Sequence, residues 1–273
     1  MACGGPWYPS GVSGEYERID WYDLPRYYDI AFASLNTPEL EFLEAMYDRY
    51  APGNRRRVLE PACGSGRLVE GMVRRGYRVT GYDRSEAMVA YARARLKRLG
   101  LSATLTEDDM TRFSSRARFE LAHCLVSTFK YLLSEDAARQ HLQSVANVLV
   151  PGGIYVLGLH LTDYRDRSSD EEVWSGKRGQ TQVECRIQSQ PPDRRSRTEA
   201  LRARLTVTKP SKTLRMETEW DFRTYSGPQF KQLLRKVPEL KHVATHNFEY
   251  DADCALRFDD VYLDQVCILQ KQA

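Results

Sequence analysis

Residues 58–68 read Val58-Leu59-Glu60-Pro61-Ala62-Cys63-Gly64-Ser65-Gly66-Arg67-Leu68, a strand end, a glycine-rich turn and a helix start in eleven positions. Glycines at such a turn let the backbone approach a ligand and leave the N–H groups of the helix start facing it. Arg57 to Glu60 supplies the short apolar strand, and Gly64 to Gly76 carries the helix, with Leu68, Val69, Met72 and Val73 on one side. Working outward, the same alternation recurs. Tyr77–Tyr82 reads as a second strand, Ser85–Leu99 as a helix capped by Ser85 and closed by Gly100, and Ser102–Thr106 as a third strand. Glu120–Val126 makes a fourth strand, Ser134–Leu149 a helix capped by Ser134, and Pro151-Gly152-Gly153 turns into a fifth strand, Ile154–His160. Upstream, Thr37-Pro38-Glu39 opens a helix carrying Leu40, Leu43, Met46 and Tyr47, which Pro52-Gly53 ends. Strands alternating with helices of this length predict right-handed crossovers and a parallel sheet.

After Leu161 the texture changes. Thr181–Ser189, Ala200–Lys209 and Thr213–Thr224 alternate as strands do, separated by Pro191-Pro192-Asp193 and Lys209-Pro210-Ser211. They predict an antiparallel meander, an insert over 162–224 that walls one side of an acceptor site or forms a homodimer contact. A helix from Gly227 to Lys236 and two strands, Lys241–Tyr250 and Asp260–Leu269, resume the α/β order. The expected fold is therefore α/β: a doubly wound, seven-stranded, mostly parallel sheet from residues 37–161 and 225–273, with the meander after its fifth strand.

The composition bounds the function. The 273 residues hold 40 Lys+Arg against 37 Asp+Glu and 42% hydrophobic residues, with a mean hydropathy of −0.56. That is enough for a sizeable core, and no apolar run approaches the roughly 18–20 residues of a membrane helix. Met1 to Pro6 shows no secretory pattern, and six single cysteines (Cys3, Cys63, Cys124, Cys185, Cys254, Cys267) form no CxxC pair. A cytoplasmic, reducing location is expected, without a structural zinc site, a disulfide framework or a metal in the site. A net charge of +3 does not imply a polynucleotide. The Arg55–Arg57, Arg93–Arg98 and Arg194–Arg197 patches read as solvated surface.

Two acids mark the candidate site. Glu60 ends the first strand and Asp83 the second, where a carboxylate accepts both hydroxyls of a ribose. Asp83 could instead cap the next helix, but the glycine turn before it favours ribose. A dinucleotide fingerprint needs a third glycine where this chain has Val69. Glu60, Ala62, Gly64 and Gly66 instead fill the pattern acid-x-small-x-Gly-x-Gly. With Thr106-Glu107-Asp108-Asp109-Met110, Phe119-Glu120-Leu121-Ala122, Leu125–Leu132 and Leu149-Val150-Pro151-Gly152-Gly153, the chain resembles the class I S-adenosylmethionine-dependent methyltransferases over about 37–160 and 225–270.

The resemblance implies S-adenosylmethionine as cofactor and an enzyme that moves its methyl group in line to a small-molecule N or O acceptor. It implies that Glu60 and the turn of Ala62, Cys63, Gly64, Ser65 and Gly66 hold the cofactor's amino-acid portion. Asp83 takes ribose, with Arg84 and Met88 beside the adenosine. Asp109 and Met110 take adenine, with Asp108 the alternative, and backbone near Leu125 meets the ammonium. The aromatic and acidic lead-in Trp7–Tyr28, within an expected lid over 1–36, either closes over the cofactor or only packs the arm. Tyr28 and then Tyr22 are the rings expected at the sulfonium, through cation–π contact. His160, at the carboxyl end of the fifth strand, is the candidate substrate contact or base, whereas His123 lies mid-strand and reads as buried. An amine arriving neutral would need no base. The rivals are a nucleic-acid methyltransferase using the Arg patches, which lacks the Asn/Asp-Pro-Pro-aromatic motif where Val126-Ser127-Thr128-Phe129 stands, and a non-catalytic adenosyl-ligand binding protein.

Overall fold

The structure is a computed structural model that describes residues 15–32, 37–259 and 261–272. Trp7, Tyr8 and Cys3 lie outside the described residues, as does Asp260. Along the chain come β1 (Glu17–Arg18), α1 (Pro25–Ala31), α2 (Thr37–Tyr50), β2 (Arg57–Pro61), α3 (Arg67–Arg74), β3 (Arg78–Asp83), α4 (Glu86–Arg98), β4 (Thr104–Glu107) and β5 (Phe119–Cys124). Then follow α5 (Glu135–Val148), β6 (Leu149–His160), β7 (Glu171–Arg178), β8 (Thr181–Ser189), β9 (Thr198–Lys209), β10 (Lys212–Arg223), α6 (Gly227–Leu234), β11 (Leu240–His246) and β12 (Asp264–Lys271).

The described residues build a seven-stranded sheet in the order β11-β12-β6-β5-β2-β3-β4. The β2–β3, β2–β5, β3–β4 and β5–β6 pairs are parallel, and β12 runs antiparallel to both β6 and β11. Burial on both faces explains the continuous apolar character of the central strands. The β5 side chains are all buried, and α2, α3 and α4 cover one face while α5 and α6 cover the other. Ser85 and Ser134 cap α4 and α5, accepting from the N–H of Met88 and Ala137. Parallel strands bring the ends of β2, β3, β5 and β6 to one rim, which is where a ligand crevice forms in such sheets.

Within the expected bounds of 162–224 the insert holds one strand more than its sequence pattern indicates. Four of its strands and β1 of the arm form a second sheet, β1-β10-β9-β8-β7. β7 escapes a periodicity reading because it is an edge strand, exposed at both faces along most of its length, so no alternation was required of it. Gly176 in β7 allows α1 to lie directly on this strand, since a Cβ there would fall 1.8 Å from the Ile30 carbonyl oxygen.

Several boundaries also differ. The fourth strand stops at Cys124 rather than Val126, because Val126 and Ser127 adopt φ of 56° and 59° and turn the chain away. The strand expected to reach Tyr250 ends at His246, and its partner begins at Asp264. Pro151-Gly152-Gly153 lies within the long β6, where the pairing with β5 slips between Phe119 and Leu121.

Candidate functional site

The turn after β2 is built by hydrogen bonds that hold its backbone open. Cys63 N–H donates to the Tyr82 carbonyl at 2.9 Å, and Gly66 N–H donates to the Cys63 carbonyl at 2.9 Å. Ala62, Gly64 and Gly66 all take positive φ, of 51°, 51° and 73°. The two glycines serve different needs. A Cβ on Gly66 would sit 2.8 Å from the Ala92 Cβ, so this glycine lets α3 close on α4. A Cβ on Gly64 would meet nothing within 4 Å, so this one faces open space. Cys63 is buried against Gly81, and burial pushes its thiol well above the usual range, as befits a packing residue rather than a nucleophile.

That open space belongs to a cavity of about 610 Å³ at the C-terminal rim, lined by Glu60, Ala62, Cys63, Gly64 and Ser65 from the turn. Tyr22 and Tyr28 of the arm, His123 of β5, Leu125 and Ser127 after it, and His160 of β6 line it too. On the far side it meets the insert: Trp174, Ile187, Glu199, Leu201, Trp220 and Phe222 face the same cavity, so the second sheet walls it.

The charges in the floor are unusual. Glu60 is 6% exposed and its Oε2 has no hydrogen-bond partner among the described residues. Burial pushes its carboxyl up to about 8, against the partial opposition of Arg67. His123 is fully buried with neither ring nitrogen bonded among the described residues, and burial pushes it down to about 3. Both are therefore neutral at pH 7, and their 3.8 Å approach is a contact of two polar groups lacking partners rather than an ion pair. Buried polar atoms without partners are rare in folded chains, and these two point to a group that the cavity is shaped to receive. Beside them Arg67 and Glu39 form a two-pronged ion pair, with Nη2 2.8 Å from Oε1 and Nη1 on Oε2. The expectation of a buried His123 is met, whereas the Arg67–Glu39 pair, 28 residues apart, left no signal in the sequence.

Asp83 lies between the turn and the next helix, whose N-cap is Ser85 rather than Asp83. Its Oδ2 accepts the Gly64 N–H at 2.8 Å and its Oδ1 accepts the Ser85 N–H at 2.9 Å, so it ties the turn to the start of α4. Burial raises its carboxyl despite these bonds. The Asp83, Arg84, Met88, Asp108, Asp109 and Met110 side chains lie beyond the walls of the 610 Å³ cavity, as does Gly66. Met88 is fully buried. Asp109 Oδ1 is taken by the Thr111 N–H and hydroxyl, which hold its carboxyl below the usual range, and Asp108 Oδ1 accepts the Asp109 N–H.

The arm closes this half of the site. Tyr22 donates its hydroxyl to Tyr131 Oη at 2.7 Å, and the Ser85 hydroxyl donates to the Tyr22 carbonyl at 3.3 Å. Trp21 packs edge-on to Tyr28 and lies 4.9 Å from Trp220, so the rings both pack the arm and roof the cavity. Burial pushes the Tyr28 phenol up to about 12, which keeps it protonated. A residue given no role by the sequence holds the arm down. Asp29, 2% exposed, accepts from Ser65 Oγ at 2.9 Å, Tyr91 Oη at 2.9 Å, Arg95 Nη1 at 2.5 Å and Arg178 Nη2 at 2.8 Å. Burial alone would raise its carboxyl, but Arg95, Arg178 and Tyr91 outweigh burial and lower it.

On the opposite wall His160 Nδ1 lies 2.5 Å from Asp264 Oδ1, an orienting contact made by β12, and its backbone N–H donates to Ser127 Oγ at 3.0 Å. The left-handed Val126 and Ser127 are the kind of local strain that collects at ligand sites. The arginine patches contribute no residue to the cavity wall, whose Arg67 and Lys130 are ion-paired with Glu39 and Glu199.

Residues 58–153 match a family model described as a methyltransferase domain. The chain is 37% identical over 101 residues to a ubiquinone biosynthesis O-methyltransferase of Alkalilimnicola ehrlichii, covering 36% of this chain and 39% of that one. It is 31% identical over 100 residues to a dTDP-3-amino-3,4,6-trideoxy-alpha-D-glucopyranose N,N-dimethyltransferase of Streptomyces venezuelae, covering 37% and 40%. The chain spans between 31% and 59% of the length of five curated relatives that it matches. In fold it is similar to the sugar N-methyltransferase KedS8 of Streptoalloteichus sp ATCC 53650, with a TM-score of 0.70 at 17% identity over 100% of this chain and 99% of that one. No helix among the described residues is long and apolar enough to cross a membrane.

Proposed function

We propose that this chain, whose residues 58–153 form a methyltransferase domain, moves the methyl group of S-adenosylmethionine to a nitrogen or oxygen of a small molecule. One observation carries the reading: an unpartnered buried carboxylate, Glu60, stands beside the open space over Gly64 under a roof of aromatic rings. These residues suit an amino-acid portion bearing an ammonium. Glu60 would accept it, with the Ala62–Gly66 turn and the Leu125 backbone alongside. Asp83 would receive ribose hydroxyls on the lone pairs left by its backbone donors, with Arg84 and Met88 near. Adenine would lie by Asp108, Asp109 and Met110.

When bound, the cofactor supplies a methyl group activated by a sulfonium. The chain's residues do the rest. Tyr22 and Tyr28 exclude water, and their ring faces favour positive charge where it is held. The protonated Tyr28 hydroxyl is a donor for an anionic or carbonyl oxygen. His160, oriented through Nδ1 by Asp264, would take the acceptor's proton at Nε2, with Asp264 as the positioning residue. The second sheet walls the acceptor half, and the arm over residues 15–32 is the lid. The likeness to named O- and N-methyltransferases of small molecules supports this acceptor class. So does the absence of the arginine patches from the cavity wall, which a polynucleotide acceptor would need.

Calorimetry with S-adenosylhomocysteine tests the reading. Saturable one-site binding is expected, weakened in Asp83→Ala while the fold is retained. A folded chain that does not bind it would overturn the proposal. Methylation of a metabolite panel with labelled cofactor then separates an enzyme from a protein that only binds the adenosyl ligand.

A further inference from the structure

We propose that the cavity's insert side is a cation site for an amine that carries an apolar body. The inference rests on the methyl-transfer reading only in naming this amine as the acceptor; the site itself is argued from its own walls.

Five rings from three separate parts of the chain converge on this half of the cavity: Trp21 of the arm, Tyr131 after β5, and Trp174, Trp220 and Phe222 of the insert. Tyr131 and Phe222 meet edge to face at 4.8 Å, Trp220 and Phe222 at 5.9 Å, and Trp21 and Trp220 lie 4.9 Å apart. Aromatic rings that line open space offer a guest negative faces, the arrangement that holds ammonium groups. One cation already uses it, since Lys130 Nζ stands 5.0 Å from the Phe222 centroid.

The charges agree. Both full cations in the wall, Arg67 and Lys130, are matched by Glu39 and Glu199, and His160 is matched by Asp264. Asp170, Glu172 and Glu249 also line the cavity and have no ion pair among the described residues. Among the described residues Glu172 accepts only the Trp174 indole N–H, at 3.1 Å, so ring and carboxylate are presented together. These acids favour a positive guest over a neutral one and repel an anion.

Two soluble probes of one shape, choline and 3,3-dimethylbutan-1-ol, differ only in charge and neither titrates. Three tryptophans line the cavity, so intrinsic fluorescence reports binding of either. In low salt, with S-adenosylhomocysteine present, choline is expected to bind at least tenfold more tightly than the neutral alcohol. The exposed double variant Asp170→Asn/Glu172→Gln should lose severalfold of that preference while its affinity for S-adenosylhomocysteine is unchanged. Trp220→Leu should weaken choline in a chain whose circular dichroism is that of the wild type. Equal affinity for the two probes, no binding of choline, or a preference untouched by the double variant would each overturn the cation site. Choline binding in a chain that ignores S-adenosylhomocysteine would instead sink the methyl-transfer reading and leave the cation site standing.

Discussion

Burying Glu60 costs folding stability, while the proposed ammonium contact calls for the same carboxyl, and Glu60→Gln separates the two. In the folded chain burial holds its carboxyl at about 8, against 4.5 for the ordinary side chain. Below pH 4.5 the group is protonated in both folded and unfolded states and costs nothing. Between 4.5 and 8 the unfolded chain ionises while the folded one keeps its proton, so folding stability falls as pH rises, and the full penalty is present above pH 8. At 1.36 kcal/mol per pH unit the cost at pH 7 is on the order of 3 kcal/mol, and above pH 8 about 5 kcal/mol. Glutamine has nearly the same shape and no proton to lose. Glu60→Gln should therefore be more stable than wild type by about 3 kcal/mol at pH 7, with the difference fading toward pH 4.5. Urea unfolding followed by circular dichroism at pH 5, 7 and 8.5 reads the three points directly. The same variant should bind S-adenosylhomocysteine more weakly, because an amide, unlike the carboxyl, has no proton to release when an ammonium arrives beside it. A pH-independent difference, or a variant less stable than wild type at pH 8.5, would refute the reasoning.

Three further substitutions separate the parts of the site. Gly64→Val should cost only about 1 kcal/mol of positive-φ strain yet abolish S-adenosylhomocysteine binding by filling the open space, whereas Gly66→Ala should destabilise the fold by about 1–3 kcal/mol through its contact with Ala92; equal loss of binding per unit of stability in both would contradict the assignment. Asp29→Asn leaves Arg95 and Arg178 facing a neutral group and should lower stability by about 3 kcal/mol at pH 7. Because the Asp29 carboxyl is lowered from 3.8, that difference should persist down to about pH 4 and vanish only in stronger acid, as read by thermal melts across pH. Once an acceptor is in hand, Asp264→Asn should lower kcat by about a hundredfold with little change in KM, and Asp264→Glu should recover part of it; a KM effect alone would remove His160 from proton transfer.

How the fold is written in the chain can be judged from particular elements. The alternation of β2, α3, β3 and α4 was legible because strands buried on both faces must be apolar throughout and each covering helix needs one apolar side. Ser85 and Ser134 announced their helices because a cap is a local transaction between a side chain and an N–H three residues on. β7 was not legible, since an edge strand has no buried face to enforce alternation. Nor was the end of β5, where Val126 and Ser127 leave the strand in a backbone conformation that neither side chain favours.

The same division runs through the site. Glu60, Gly64 and Asp83 could be picked out from spacing alone, because a glycine turn between a strand and a helix, with acids at adjacent strand ends, is contiguous along the chain. Asp264 beside His160, Arg178 and Arg95 on Asp29, Glu39 on Arg67, and Trp220 over Trp21 are separated by 28 to 199 residues, and no local pattern predicts such meetings. Local propensity and binary pattern thus determined the core sheet, its rim and the type of ligand turn. Burial, charge pairing and ring packing between distant segments decided which carboxylates keep their protons, which wall the insert supplies and how the arm is fastened, since each depends on what the folded chain excludes from water.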